Sequence, residues 1–223
     1  MYKIEIEALI NTKKMKLATL LTVTFLFAIA SAYVEISVAH ASPDAPAVDI
    51  YLNGTLFYQA LAFSEVGATF EVPAGVYEAV INVSGGQTTV LSALIPATAD
   101  GTAYLVAAVN PVAYLNLNVY AEEPSGPVPS GTYVSFLHAS PDAPPVDIAV
   151  VGGSVVFAFQ SYLAQAPAIV VPKGTYSFEV LLAGTSTVVL QVPNVPLFGN
   201  SYTIIAEGLV QAGTLQAVLF QQA

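Results

Sequence analysis

His40–Ile50 reads HASPDAPAVDI, and His138–Ile148, ninety-eight residues further on, reads HASPDAPPVDI. The two copies differ only at Ala47 and Pro145. Each piece of the stretch has a conformational meaning. Pro43 and Pro141 preset φ for the first central position of a turn, and Ser42 and Ser140 before them can hydrogen-bond back to the turn backbone. Asp44 and Asp142 favour turns for the same reason. Pro46 and Pro144 force the preceding residue into an extended conformation and launch a strand. His40 is in phase with Ile36 and Val38, so its side chain points to the core at a strand end. Asp49, and Asp147 by equivalence, alternate with the apolar positions of the next strand and point away from that face. The stretch is a corner between two β-strands, written twice.

Working outward, the whole chain follows the same duplication. A shift of 98 lays Asp147 on Asp49 and Tyr202 on Tyr104, and a shift of 99 lays VPKGTY (Val171–Tyr176) on VPAGVY (Val72–Tyr77). The implied organisation is a domain over 33–121, a linker over 122–130 and a second domain over 131–223. The linker, EEPSGPVPS, is rich in proline, which favours a semi-rigid extended spacer. Val34, Ile36 and Val38 alternate with Glu35 and Ser37, the period of a half-buried strand. VYEAVINV (76–83), TTVLSAL (88–94), TAYLVAAV (102–109) and YLNLNVY (114–120) continue the series, punctuated by Gly and Pro. The expected fold is all-β: two tandem immunoglobulin-like or transthyretin-like β-sandwich domains of seven or eight strands each.

Residues 15–32, MKLATLLTVTFLFAIASA, carry a lysine, an apolar run and a small-residue end at Ala30-Ser31-Ala32, the three parts of a secretory signal. The run is short for a membrane span. Residues 1–32 are therefore expected to be a signal peptide or leader cleaved before Tyr33, and the location extracellular, at the cell surface.

Hydrophobic residues make up 55% of the 223 and charged residues 9%, against about 25% charged in an ordinary soluble domain. There is no arginine or cysteine, and Lys173 is the sole basic residue beyond Lys16 apart from His40 and His138. Of fifteen acidic residues only Glu5 and Glu7 precede Tyr33, leaving thirteen against that one lysine. This balance excludes nucleic acid and anionic membranes as partners. The missing cysteine excludes disulfides, thiolate catalysis and zinc–thiolate sites.

His40, Asp44 and Asp49 have the chemistry to converge on a divalent ion, but a strand corner has many backbone groups to satisfy, and pairing with these is the expected use of all three. No metal or other cofactor is expected. Asn53-Gly54-Thr55 and Asn82-Val83-Ser84 match the N-glycosylation pattern, and Asn53-Gly54 is also a strong hairpin turn whose counterpart is Gly152-Gly153. No nucleophile motif accompanies the histidines, and no carboxylate pair is marked by its context, so the chain does not read as an enzyme.

The run HASPDAPAVDIYLNG followed by VPAGVY resembles a family of secreted prokaryotic domains known as domain of unknown function 4397. The resemblance covers both halves. Copy two departs from it at Ala149, which replaces Tyr51, and at Gly152-Gly153. It implies a secreted β-sandwich, usually in tandem on cell surfaces, with no catalytic residues to carry over. Few charges, no cysteine, much β-branched surface and a short stiff linker lead to the reading of a structural protein of a fibre, matrix or surface layer. It would associate with itself by β-strand addition, with uncharged stretches such as TAYLVAAV and TVVLQV as unguarded sheet edges and Tyr33–Ala39 free to enter a neighbour's sheet. The alternative is an adhesion or carbohydrate-binding module, with Tyr51, Tyr58, Tyr114 and Tyr120 as stacking candidates for surface glycans.

Overall fold

The computed structural model describes residues 33–97, 102–122 and 131–222. The expected signal segment and nearly all of the expected linker lie outside these residues. Sixteen strands are described, eight in each half. In the first half these are β1 (Tyr33–His40), β2 (Val48–Leu52), β3 (Thr55–Leu61), β4 (Phe70–Pro73), β5 (Gly75–Val83), β6 (Thr89–Ala97), β7 (Ala103–Val109) and β8 (Asn116–Glu122). In the second they are β9 (Thr132–His138), β10 (Val146–Val150), β11 (Val155–Gln160), β12 (Gln165–Val171), β13 (Gly174–Leu182), β14 (Val188–Leu197), β15 (Ser201–Glu207) and β16 (Gln216–Gln222). The fold is all-β, in two sandwiches.

Each sandwich has two four-stranded sheets. The first half pairs β4-β1-β7-β8 with β3-β2-β5-β6, and the second repeats this as β12-β9-β15-β16 with β11-β10-β13-β14. The pairings are antiparallel except for β1 with β7 and β9 with β15, which run parallel. In each half the repeated corner therefore carries the chain from one sheet to the other. Between the sheets of the first sandwich lie Val34, Ile36, Val38, Ile50, Ile81, Ile95 and Val106. Phe136, Ile148, Phe157, Val180, Leu197 and Ile204 fill the second.

The middle sheets are buried on both faces. Ala39, Ala41, Leu105, Ala107, Val109 and Tyr120 of the first half form a third buried cluster with Leu137, Ala139, Ile205 and Phe220 of the second. The two sandwiches are therefore stacked sheet on sheet, giving four layers and three apolar interfaces. Small side chains on the central strands allow this close approach. β8 crosses over the start of β12, where Tyr120 OH donates to the Leu163 carbonyl and Gln165 Nε2 to Glu122 Oε1. β16 lies at the opposite side, where Gln216 Nε2 donates to Ser64 Oγ.

Four expectations change. β1 is not a free segment: it is a central strand, hydrogen-bonded to β4 on one side and β7 on the other. TAYLVAAV lacks charge because β7 is buried on both faces; it is not an exposed edge. Tyr114 lies outside a strand, in a short 3-10 turn at Val112–Tyr114. Glu122 is the last residue of β8, one beyond the expected domain boundary.

The change of shift from 98 to 99 has a local cause. Asn53 and Gly54 both have positive φ, 46° and 78°, and close a two-residue hairpin between β2 and β3, the geometry that a type I′ turn demands. In copy two the loop between β10 and β11 is Val151–Ser154, and Gly152 is its positive-φ residue, at 72°. Gly152-Gly153 thus sit in a longer loop, not in the same turn.

Candidate functional site

Because β1 and β7 run parallel, the corner leaving β1 and the loop leaving β7 emerge at one end of the sandwich. The start of β2 and the β5–β6 hairpin reach the same end. The repeated stretch lies among these segments, and its polar residues are spent on them.

His40 and His138 are each 1% exposed. Their Nε2 atoms donate to the Pro46 and Pro144 carbonyls at 3.0 and 3.2 Å, closing the corner on itself. The Ser140 N–H donates to His138 Nδ1 at 3.3 Å, so that ring is used at both nitrogens in its neutral form. Burial holds both imidazoles below the usual histidine range. Phe63 and Tyr162 meet them edge-on. Pro43-Asp44 and Pro141-Asp142 form the turn centres.

Asp44 Oδ1 accepts the Val112 N–H at 2.7 Å, tying the corner to the β7–β8 loop. Asp142 accepts from Val210 and Gln211 at 2.8 and 2.9 Å in the equivalent loop. Burial opposes ionisation of Asp142, but those two N–H groups and the Ser140 hydroxyl outweigh it and lower its pKa. Ser140 Oγ also donates to the Gly208 carbonyl at 2.8 Å. Ser42 Oγ is buried with no partner among the described residues. Pro46 and Pro144 stay exposed, and each precedes a strand by one intervening residue.

Asp49 and Asp147 point away from the core face but are 6% and 8% exposed, because neighbouring segments fold over them. Asp49 Oδ1 accepts the Ala60 N–H at 2.8 Å and Oδ2 the Gly85 N–H at 3.3 Å. Asp147 does the same with Phe159 and Gly184, at 2.7 and 2.8 Å. Ala60 and Phe159 have φ of 55° and 54° at matching bulges of β3 and β11. An L-residue resists that conformation, and the carboxylate holds it in place. The Ala60 N–H, with help from Ser84 and Gly85, lowers the Asp49 pKa.

VPAGVY and VPKGTY form a second repeated clamp. The Tyr77 hydroxyl donates to the Pro73 carbonyl, and the Tyr176 hydroxyl to that of Pro172 at 2.7 Å. Asn53 is exposed and its Oδ1 accepts the Glu78 N–H; half-buried Asn82 accepts from the Thr89 hydroxyl through Oδ1. Among the described residues no three His, Asp or Glu side chains are grouped to hold a metal ion. No described helix is long and apolar enough to cross a membrane.

Of the four tyrosines considered for sugar stacking, Tyr58 and Tyr120 are buried, and Tyr58 donates to the Ala68 carbonyl. Tyr51 is half-buried on the outer sheet, and Tyr114 is 79% exposed. They form no common platform.

A corner kept in both halves, with its histidine and both aspartates set on equivalent backbone groups, marks a shared domain type. The sequence profile of the family described as Domain of unknown function (DUF4397) matches residues 34–149 and 132–223. The chain belongs to this family. No curated protein matches it. Among solved structures, CBMbc, a family CBM26 module from Eubacterium rectale Amy13K in complex with maltoheptaose, is 10% identical. It covers 86% of this chain and 97% of its own, with a TM-score of 0.28. The Bacillus anthracis TIE protein is 12% identical with a TM-score of 0.24, over 80% of this chain and 33% of that one. At such scores neither bears on the assignment of a site.

Sequence reasoning missed the interface between the sandwiches and the residues that cross it: Glu122, Tyr162, Gln165, Thr203 and Gln216. A signal was present. β7 (AYLVAAV) is apolar in both phases of the alternation, as a strand covered on both faces can be.

Proposed function

We propose that this protein is an exported, non-enzymatic building block of the cell surface, which associates with itself into a larger extracellular assembly. The observation that carries this reading is the fused stack. Two sandwiches share a buried third interface of Ala39, Leu105, Ala107, Leu137 and Ile205, so the unit transmits load as one block. Its chemically versatile residues support the same reading: the imidazoles and the carboxylates of the repeated corner hold backbone groups, which leaves them unavailable to a substrate. Export rests on the signal-like segment before Tyr33. Negative-stain electron microscopy and light scattering on the purified protein test the proposal. Ordered assemblies are expected, and a monomer at every concentration overturns it. A glycan array tests the carbohydrate-binding alternative, for which Tyr114 is the one fully exposed aromatic among the residues considered.

A further inference from the structure

Four sheets have eight edge strands: β3, β6, β4, β8, β11, β14, β12 and β16. An edge strand offers a row of unpaired N–H and C=O groups, and proteins that must stay apart interrupt such rows with proline, bulges or shortness. Six of these edges are interrupted. β3 and β11 are bulged at Ala60 and Phe159, with broken register. β4 has four residues and ends in Pro73. β12 contains Pro167 and a register shift. β6 contains Pro96 and a register shift. β14 contains Pro193 and Pro196, with Asn194 at φ 57° between them.

β8 and β16 have no such interruption. All seven residues of β8 pair with β7 in unbroken register, and all seven of β16 with β15. Neither strand has a proline or a positive φ. β16 has no charged residue, and the one charge of β8, Glu122, is turned inward, where Gln165 and Thr203 donate to it at 2.7 and 2.6 Å. The two strands also hold equivalent places in the duplication, at opposite sides of the stack. Each contributes an aromatic residue, Tyr120 or Phe220, to the rim of the interface between the sandwiches. A strand added at either side continues both a sheet and that buried interface.

We propose that β8 and β16 are the docking edges for a second copy of this chain, with β16 of one copy pairing beside β8 of the next. Such a contact joins two different surfaces and leaves one edge free at each end, so it propagates. Main-chain hydrogen bonds provide the attraction. The inference rests on the self-association proposed above and names its surfaces.

The test uses lysine as an edge guard at two exposed positions, Ala121→Lys on β8 and Gln221→Lys on β16, with Leu94→Lys on the already interrupted β6 as control. Each lysine makes the net charge of −10 less negative, so a general charge effect would favour association, the reverse of the expected result. Thermal melts establish that each variant is folded. In sedimentation velocity the wild type and Leu94→Lys are expected to assemble, while Ala121→Lys and Gln221→Lys each remain monomeric. An equimolar mixture of those two retains one good β16 and one good β8, and is expected to form dimers. Assembly of either edge variant alone overturns the β8–β16 pairing while leaving self-association in place. A monomeric wild type overturns both.

Discussion

The Tyr162 hydroxyl of the second sandwich donates to Asn110 Oδ1 of the first at 2.6 Å. Asn110 follows β7 at φ 69°, the position that Gly208, at φ 91°, occupies after β15. Tyr162 also lies edge-on to His138, so one side chain joins the corner of its own sandwich to the loop of the other. Tyr162→Phe is expected to cost about 1 kcal/mol, the scale of one hydrogen bond. Leu137→Ala, which empties the same interface, is expected to cost about 2–5 kcal/mol. Calorimetry of the wild type is expected to give a single unfolding transition. Two transitions, with only one moved by Leu137→Ala, would show that the sandwiches are energetically independent.

The repeated histidines are expected to act through structure. His138 uses both ring nitrogens, whereas His40 Nδ1 has no partner among the described residues. His138→Ala is therefore expected to be the more damaging of the pair, within about 1–3 kcal/mol for each. Both folded-state pKa values lie below the unfolded one, so the folded protein resists protonation. The stability they contribute is present above the ordinary histidine range and is lost as pH falls through and below it. Chelator treatment is expected to leave the melting temperature unchanged. A chelator-dependent loss abolished by His40→Ala or Asp44→Ala would restore the metal reading.

Gly208 gives a sharper local test. A Cβ there would come within 2.2 Å of the Thr214 carbonyl oxygen, at a φ that L-residues resist. Gly208→Ala is expected to destabilise by more than the roughly 1 kcal/mol of an ordinary glycine substitution, whereas Gly152→Ala, with open space around it, has only its φ to overcome. Chemical denaturation of the two variants makes the comparison. Equal losses would mean that the β15–β16 loop yields to the added carbon.

Much of this architecture was legible in the sequence because period-2 alternation and paired turn residues report local geometry. The corner showed itself through Pro43, Asp44 and Pro46, whose preferences act within a few residues. β3 and β4 were not legible, since the Ala60 bulge is held by Asp49 eleven residues away and β4 is only four residues long. Nor was the stacking of sandwiches: a proline-rich spacer between two copies suggests separation, only β7 is apolar in both phases of the alternation, and the second faces of β1, β9 and β15 carry Glu35, Ser37, Ser135, Thr203 and Glu207. Asp44's partner Val112 lies in a loop brought near by the parallel β1–β7 pairing, and Asp49's partners Ala60 and Gly85 lie on β3 and after β5, the neighbours of β2 in its sheet; no local pattern encodes either placement.

Glu207 provides the last prediction. It closes β15 in the inter-sandwich interface, 2% exposed, with Oε1 lacking a partner among the described residues. Burial pushes its pKa up to about 7 from 4.5, and hydrogen bonds with Ser64 and Gln216 only partly oppose this. The folded state therefore holds a proton that the unfolded chain releases between those values. Stability from this group is greatest below about pH 4.5 and declines as pH rises toward 7, by an amount on the order of 3 kcal/mol. This slope runs opposite to that of the two histidines, so Glu207→Gln is expected to raise stability at neutral pH and to leave only the loss on acidification. Denaturant midpoints across this range, measured for the wild type and Glu207→Gln, make the test. Parallel profiles for the two proteins would mean that water reaches the carboxylate and that the stacked sheets open there.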